Sequence, residues 1–137
     1  MMTADLHYLT ISELAPMIER KEISPVEVTR HMLDRIERVD GDLRAYATMM
    51  GESAIERARQ AESEIVAGNY RGPLHGVPIA VKDLCNTEGI TTRGGSAVFM
   101  DNVPDHVPQQ PTDEPEFIDA QESTDVSFEY IAGVDFL

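Results

Sequence analysis

The sequence predicts an α/β chain in which helices come first and a strand follows them. Three segments carry helix start or stop signals and repeat apolar residues at helical spacing. Residues 77–81 then alternate bulky and smaller side chains, as a β-strand does. The last 37 of the 137 residues hold ten of the 25 acidic residues and no Lys or Arg. We therefore expect a folded part over residues 1–103 and an acidic, proline-containing, partly disordered tail over residues 104–137.

The first helix is predicted to begin at Thr10. Thr10 and Glu13 have the spacing of a capping box, in which the two side chains satisfy backbone N–H groups at the helix start. Leu9 and Leu14 are spaced as a hydrophobic staple around the same start. Pro16 lacks an N–H group, so it limits the regularity of this helix.

The second helix has a stronger start signal. Ser24 is the predicted N-cap, Pro25 occupies the first helical position, and Glu27 completes the pattern. The apolar residues that follow at helical spacing are Val28, Met32, Leu33, Ile36 and Val39. Asp40 and Gly41 are predicted to end the helix.

A third helix is predicted from about Glu52 to Ala67, with Gly68 as its stop signal. Its apolar face consists of Ala54, Ile55, Ala58, Ala61 and Ile65. Alanine side chains are small, so this face should allow close packing against a neighbouring helix. We interpret the charged outer face as solvated.

The predicted strand ends in Lys82, one of only two lysines in the chain. Val77, Ile79 and Val81 form its bulky face, and Pro78 should lie at the strand start or at a sheet edge because it cannot donate to a ladder. Burial disfavours the charged ammonium form, so a lysine at the end of a buried apolar strand is a candidate general base. The alternative is that Lys82 reaches into water or pairs with Asp83.

Residues 72–83 read G-P-L-H-G-V-P-I-A-V-K-D, with Gly-Ile-Thr-Thr at 89–92 and Gly-Ser at 95–96. This run resembles the signature of the amidase signature family, and twelve matching residues in order are a specific signal. The resemblance covers about the first hundred residues and stops near Val103 or Pro104. Shorter matching words lie upstream at 9–10, 13–14, 24–28, 35–37, 45–46, 58–59 and 68.

The resemblance implies a Ser-Ser-Lys hydrolase that cleaves carbon–nitrogen amide bonds through an acyl-enzyme, with Lys82 as the catalytic lysine. Both family serines lie farther downstream than this sequence extends, and Ser96 belongs to a different family word. Ser123 and Ser127 stand in acidic, glycine-poor surroundings that do not match the family's Gly- and Ser-rich signature. We therefore expect the chain to supply the N-terminal helices and first strand or strands of a larger mixed-sheet fold, and to have no amidase turnover alone.

Three functional classes stay open. The chain is an N-terminal amidase fragment, acting on a small-molecule amide if the missing serines are supplied. Alternatively it is a non-catalytic interaction module that docks on a partner chain, as would suit the amidotransferase members of the family that work in complexes. A third class is a non-functional remnant. The sequence does not decide between a truncated gene product and a natural short form.

Charge and residue usage exclude other classes. The net charge of −14 disfavours nucleic acid and anionic membranes as partners. Cys85 is the only cysteine and the four histidines are scattered, so we expect no disulfide, no metal site and no cofactor, with Cys85 as a buried, inert thiol. His75 is expected to be structural. No leader or membrane span is visible, so the default location is the cytoplasm.

The tail and the sheet edges bear on stability. Residues 101 to about 122 are expected to be disordered or loosely extended because they are acidic and poor in apolar residues. Residues 126–132 alternate in polarity, which suits either a short strand added at a sheet edge or an unpaired tail. A lone strand leaves edges uncovered, so we expect marginal stability and association, as a homo-oligomer or with a partner subunit.

Overall fold

A computed structural model of the chain describes residues 3–105 and 129–134. It confirms the α/β class. The helices are α1 (Ile11–Glu19), α2 (Pro25–Leu43) and α3 (Gly51–Val66), with short 3₁₀ helices at Thr3–Tyr8 and Ala97–Phe99. The strands are β1 (Tyr46–Met49), β2 (Pro78–Lys82) and β3 (Glu129–Val134).

The predicted helix starts are confirmed. Thr10 is the N-cap of α1, and the Glu13 carboxylate accepts both the backbone N–H and the hydroxyl of Thr10 at 2.8 Å. Ser24 is the N-cap of α2, where its hydroxyl accepts the N–H groups of Val26 at 3.0 Å and Glu27 at 3.4 Å. These bonds satisfy donors that have no partner inside the helix, which is why such residues define helix starts.

The predicted end of α2 is wrong by about one turn. The helix passes through Gly41 and continues to Leu43, because Arg44 and not Gly41 adopts the left-handed conformation, with φ 50°. The Arg44 N–H bonds to the Asp40 carbonyl at 2.7 Å, and Asp40 Oδ1 accepts the N–H of Ala45 at 2.7 Å. Asp40 therefore caps the helix end from inside the last turn.

The three helices form the core. The predicted face of α3 is confirmed, since Ala54, Ala58, Ala61 and Ile65 are all buried and α3 packs on α2. The main apolar cluster contains Leu6, Leu14, Ile18, Ile23, Val28, Ile65 and Val77. Val77 directly precedes β2, so the core fixes the point at which that strand begins.

The sheet has the strand order β1-β3-β2 and is mixed, with β3 antiparallel to β1 and parallel to β2. Two expectations are corrected here. Strand β3 lies between the other two strands and not at an edge, and its partner β1 carries no strand signal that we recognised in the sequence. Of the predicted run 126–132, residues 126–128 lie outside the described part of the chain.

Strand β2 is less buried than expected. Within the described residues it is an edge strand, bonded to β3 alone, and α2 packs against it. Ile79 and Val81 are therefore half-buried and Ala80 is exposed. Pro78 occupies the first position of this edge strand, as its missing N–H predicts.

Residues 101–105 are ordered, contrary to the expectation of a disordered segment from residue 101. The Asn102 carbonyl accepts the Thr92 N–H at 2.9 Å, and the Asn102 side-chain amide donates to the Thr92 carbonyl at 2.9 Å. The Pro104 carbonyl accepts the Gly89 N–H at 2.9 Å. These pairs hold the two parts of the loop together, while residues 106–122 lie outside the described part of the chain.

Candidate active site

Lys82 lies at the end of β2, as predicted. It is half-buried and is paired in register with Val134 of β3. A cavity of about 20 Å³ adjoins it, which is enough for a single water molecule. The cavity is lined by Thr48, Met50, Val81, Lys82, Asp83, Cys85, Thr87, Ile90, Thr91 and Thr92. Lys82 thus stands at a small recess rich in hydroxyl groups.

Asp83, the next residue, is buried and turns its polar groups toward the loop that follows. Its Oδ1 accepts the backbone N–H of Arg93 at 3.0 Å, and its carbonyl accepts the N–H of Gly94 at 3.2 Å. Its Oδ2 is buried without a hydrogen-bond partner among the described residues. Sequence reasoning considered Asp83 only as a partner for Lys82 and missed these loop contacts.

Cys85 is exposed, so the expectation of a buried thiol is wrong. The reason is local geometry. Cys85 does not continue the strand but lies in the turn after it, where its N–H bonds back to the Lys82 carbonyl at 2.9 Å.

Gly94, Gly95 and Ser96 bring the chain around after this loop. Gly94 and Gly95 have φ values of 57° and 68°, the left-handed region that favours glycine. The Ser96 hydroxyl accepts the N–H of Val98 at 3.3 Å and caps the short helix Ala97–Phe99. Ser96 therefore has a structural contact, which agrees with leaving it out of the nucleophile candidates.

His75 lies in a buried network. Its Nδ1 accepts the N–H of Arg71 at 3.1 Å, so in the neutral ring the proton is on Nε2, which lies 3.3 Å from Glu64 Oε2. Glu64 Oε2 also pairs with Arg71 Nη2 at 2.9 Å, and Tyr70 stacks on the imidazole ring. Burial is the main cause that lowers the pKa of His75, Arg71 lowers it further, and Glu64 opposes both.

This network is separate from Lys82. His75 precedes β2 and Lys82 ends it, and a five-residue strand alone spans ~13 Å. The position of His75 fits a structural role, because its contacts fix the turn that leads into β2.

A second pair of histidines was not foreseen. His7 Nδ1 lies 2.9 Å from His31 Nε2, and the two rings stack with centroids 5.2 Å apart. The two residues are 24 positions apart in sequence, so no local pattern could have paired them. Among the residues that the structure describes, no three His, Cys, Asp or Glu side chains gather as a metal site would need. The helices in those same ranges include none with the length and apolar character of a membrane span.

Comparison with known proteins places these residues in context. The model of a family described as Amidase matches residues 27–107, a segment that includes Lys82 and Asp83. The putative amidase AmiD of Mycobacterium tuberculosis is 45% identical over 93 residues, which are 68% of this chain and 20% of that protein. The glutamyl-tRNA(Gln) amidotransferase of Moorella thermoacetica has an A-type subunit that is 46% identical over 100 residues, 73% of this chain and 20% of that protein.

A solved structure gives the same result. A bacterial aryl acylamidase described as belonging to the amidase signature enzymes superposes with a TM-score of 0.68 and 30% identity. The match covers 73% of this chain and 21% of that protein. The chain therefore spans about a fifth of the length of the relatives it matches.

Proposed function

Because the chain belongs to the amidase family, we propose that it supplies the lysine-bearing N-terminal part of an amide-hydrolysing site. The observation that carries this proposal is Lys82, placed at the end of β2 beside a recess lined by hydroxyl groups. The proposed substrate class is a small-molecule amide, since relatives are named as amidases. As part of the proposal, residues 1–103 form the family-like part and residues 104–137 are an acidic segment outside the family pattern.

In the proposed reaction Lys82 is a general base. Its neutral amine takes the proton of a hydroxyl group, directly or through a second hydroxyl, and the oxygen attacks the amide carbonyl carbon. The carbon–nitrogen bond then breaks, the nitrogen leaves with a proton, and water hydrolyses the acyl-enzyme. By the family resemblance, the two hydroxyls belong to two serines.

None of the serines in these 137 residues matches those two family serines. Ser12, Ser53 and Ser63 lie on helices, while Ser24 and Ser96 cap helices. A base without a nucleophile in reach contributes little, because members of such a unit act together. We therefore propose that a polypeptide of these 137 residues does not hydrolyse amides by itself.

A chimera tests the role of Lys82. Its parent is the Moorella thermoacetica amidotransferase chain that matches this one over 100 residues, and the matching segment of that parent is replaced by the corresponding segment of this chain. We expect the chimera to release ammonia from simple primary amides. Lys82→Ala should lower the rate by about 10²–10⁴-fold, the usual contribution of a general base.

Lys21→Ala is the matched control, because Lys21 is the other lysine and donates to the Val66 carbonyl at the end of α3. It should leave the rate within a few fold of that of the unsubstituted chimera. An active chimera that keeps its rate after Lys82→Ala would contradict the proposed base.

A second candidate is a non-catalytic docking role on a partner subunit. Exposed apolar side chains in the segment after β2 favour it, and they are Leu84, Val98, Phe99, Met100 and Val103. The same chimera separates the two functions. A docking role predicts that Lys82→Ala has no effect on turnover, whereas the catalytic role predicts its loss.

A further inference from the structure

The loop after Lys82 returns to the end of β2 at a single residue. Asp83 accepts two backbone N–H groups from the far end of the loop, that of Arg93 through Oδ1 at 3.0 Å and that of Gly94 through its carbonyl at 3.2 Å. Ten residues separate Asp83 from Arg93. The residue adjacent to Lys82 thus closes the loop that surrounds the recess.

The carboxylate is costly in this position. Asp83 is 5% exposed, and its Oδ2 has no hydrogen-bond partner among the described residues. A buried charged group with one oxygen unpaired loses solvation without full compensation. Any stability that Asp83 brings therefore comes from Oδ1 and the backbone carbonyl, not from the second oxygen.

The other side of the loop is shaped to receive this contact. Gly94 has φ 57°, and a Cβ atom there would lie 3.3 Å from Leu84 Cδ2. The close approach of the Gly94 backbone to the residue after Asp83 keeps the turn against the strand end. Lys82 is then bounded by β3 along the strand and by this closed loop beyond it.

We propose that Asp83 is a positioning residue for Lys82, because its Oδ1 and carbonyl hold the turn at residues 93–94 against the end of β2. This rests on the proposed function only in so far as Lys82 is the base. The positioning itself is a property of the 137-residue chain and can be measured on it without any amide hydrolysis.

Two variants of the full chain test the proposal. Asp83→Ala removes the Oδ1 acceptor, whereas Asp83→Asn keeps an oxygen acceptor of the same shape and removes the unpaired buried charge. Asp101→Asn, at an exposed aspartate, is the control. Hydrogen exchange is measured at the amides of Arg93 and Gly94, with Ala58 and Ala61 in buried α3 as the internal reference.

We expect Asp83→Ala to speed exchange at the Arg93 amide by about tenfold or more, since that bond goes to a charged acceptor. The Ala58 and Ala61 amides should exchange at the unsubstituted rate. Asp83→Asn should restore protection at Arg93, and Asp101→Asn should change nothing. Unchanged exchange at Arg93 in Asp83→Ala, or a loss of protection that is equal in α3, would overturn the proposal.

A second measurement reports on Lys82 itself. The chain has only two lysines, so low-conversion acetylation with acetic anhydride, read by mass spectrometry, gives the ratio of Lys82 to Lys21 labelling in one molecule. Asp83→Ala should change this ratio by at least about threefold, and Asp83→Asn should return it to the unsubstituted value. A ratio that stays constant in Asp83→Ala would leave Asp83 as a purely structural residue and overturn the proposal, whatever the chimera shows about Lys82 in catalysis.

Discussion

His75 is a residue whose chemistry is set by its surroundings. Burial is the main cause that lowers its pKa, and the ordinary value of histidine is about 6.5. The folded chain therefore binds this proton less readily than the unfolded chain does. The stabilisation is fully present above the unfolded-state pKa and is lost as the pH falls from there toward the lower folded-state pKa.

We expect the free energy of unfolding to decrease as the pH is lowered below about 6.5. In His75→Gln this pH dependence should be weaker, because the substituted side chain does not titrate. Urea unfolding at several pH values between neutral and mildly acidic measures it, with His106→Gln as a substitution of the same kind elsewhere in the chain. Equal pH slopes for His75→Gln and the unsubstituted chain would contradict the role of His75.

At the scale of elements, local signals predicted the helices and nonlocal contacts decided the strands. Ser24, Pro25 and Gly68 act on backbone groups within a turn of themselves, so α2 and α3 could be located from sequence. Strand β1 is only Tyr46–Met49, and it is a strand because β3 lies beside it, with Thr48 opposite Gly133. No pattern within four residues specifies a partner more than eighty positions away.

The same distinction holds for the candidate site. Lys82 could be placed at a strand end because alternation in residues 77–81 is local. The loop contact of Asp83 could not be predicted, since it depends on a backbone N–H of Arg93 that any residue except proline would provide. Exposure of Cys85 likewise follows from where the strand stops, which alternation fixes only to within a few residues.

The turn into β2 is held against α2 by close contact at Gly76. Gly76 has φ 84°, and a Cβ atom there would lie 2.7 Å from Pro25 Cγ, at the start of α2. Gly68 also has a positive φ, 91°, but a Cβ atom there would meet nothing within 4 Å. The two glycines therefore separate backbone strain from a steric clash.

We expect Gly76→Ala to lower the free energy of unfolding by about 1–3 kcal/mol more than Gly68→Ala, because only the first forces a methyl group into the rigid proline ring. Both variants carry the smaller cost of a non-glycine residue in the left-handed region. Chemical denaturation of the two variants side by side measures the difference. Equal losses of stability would show that Pro25 yields to the added methyl group.

At the scale of the whole molecule, apolar surface remains uncovered in the segment after β2. Val98 is 84% exposed, and Phe99 and Met100 follow it in the same short turn. The net charge of −14 opposes close approach of two copies, but salt screens such repulsion over about 10 Å at moderate ionic strength. Apolar burial, which salt does not weaken in this way, should then favour association.

We expect this chain to self-associate in a concentration-dependent manner at moderate salt, and to do so less at low salt. A Val98→Ser and Phe99→Ser double variant should shift the distribution toward monomer, since it removes the largest adjacent pair of exposed apolar groups from that turn. Leu43→Ser is the matched control, because Leu43 is also exposed but ends α2. Sedimentation velocity across a concentration series measures the distribution. A monodisperse monomer with a cooperative thermal transition at every concentration and salt would mean that this surface does not drive association.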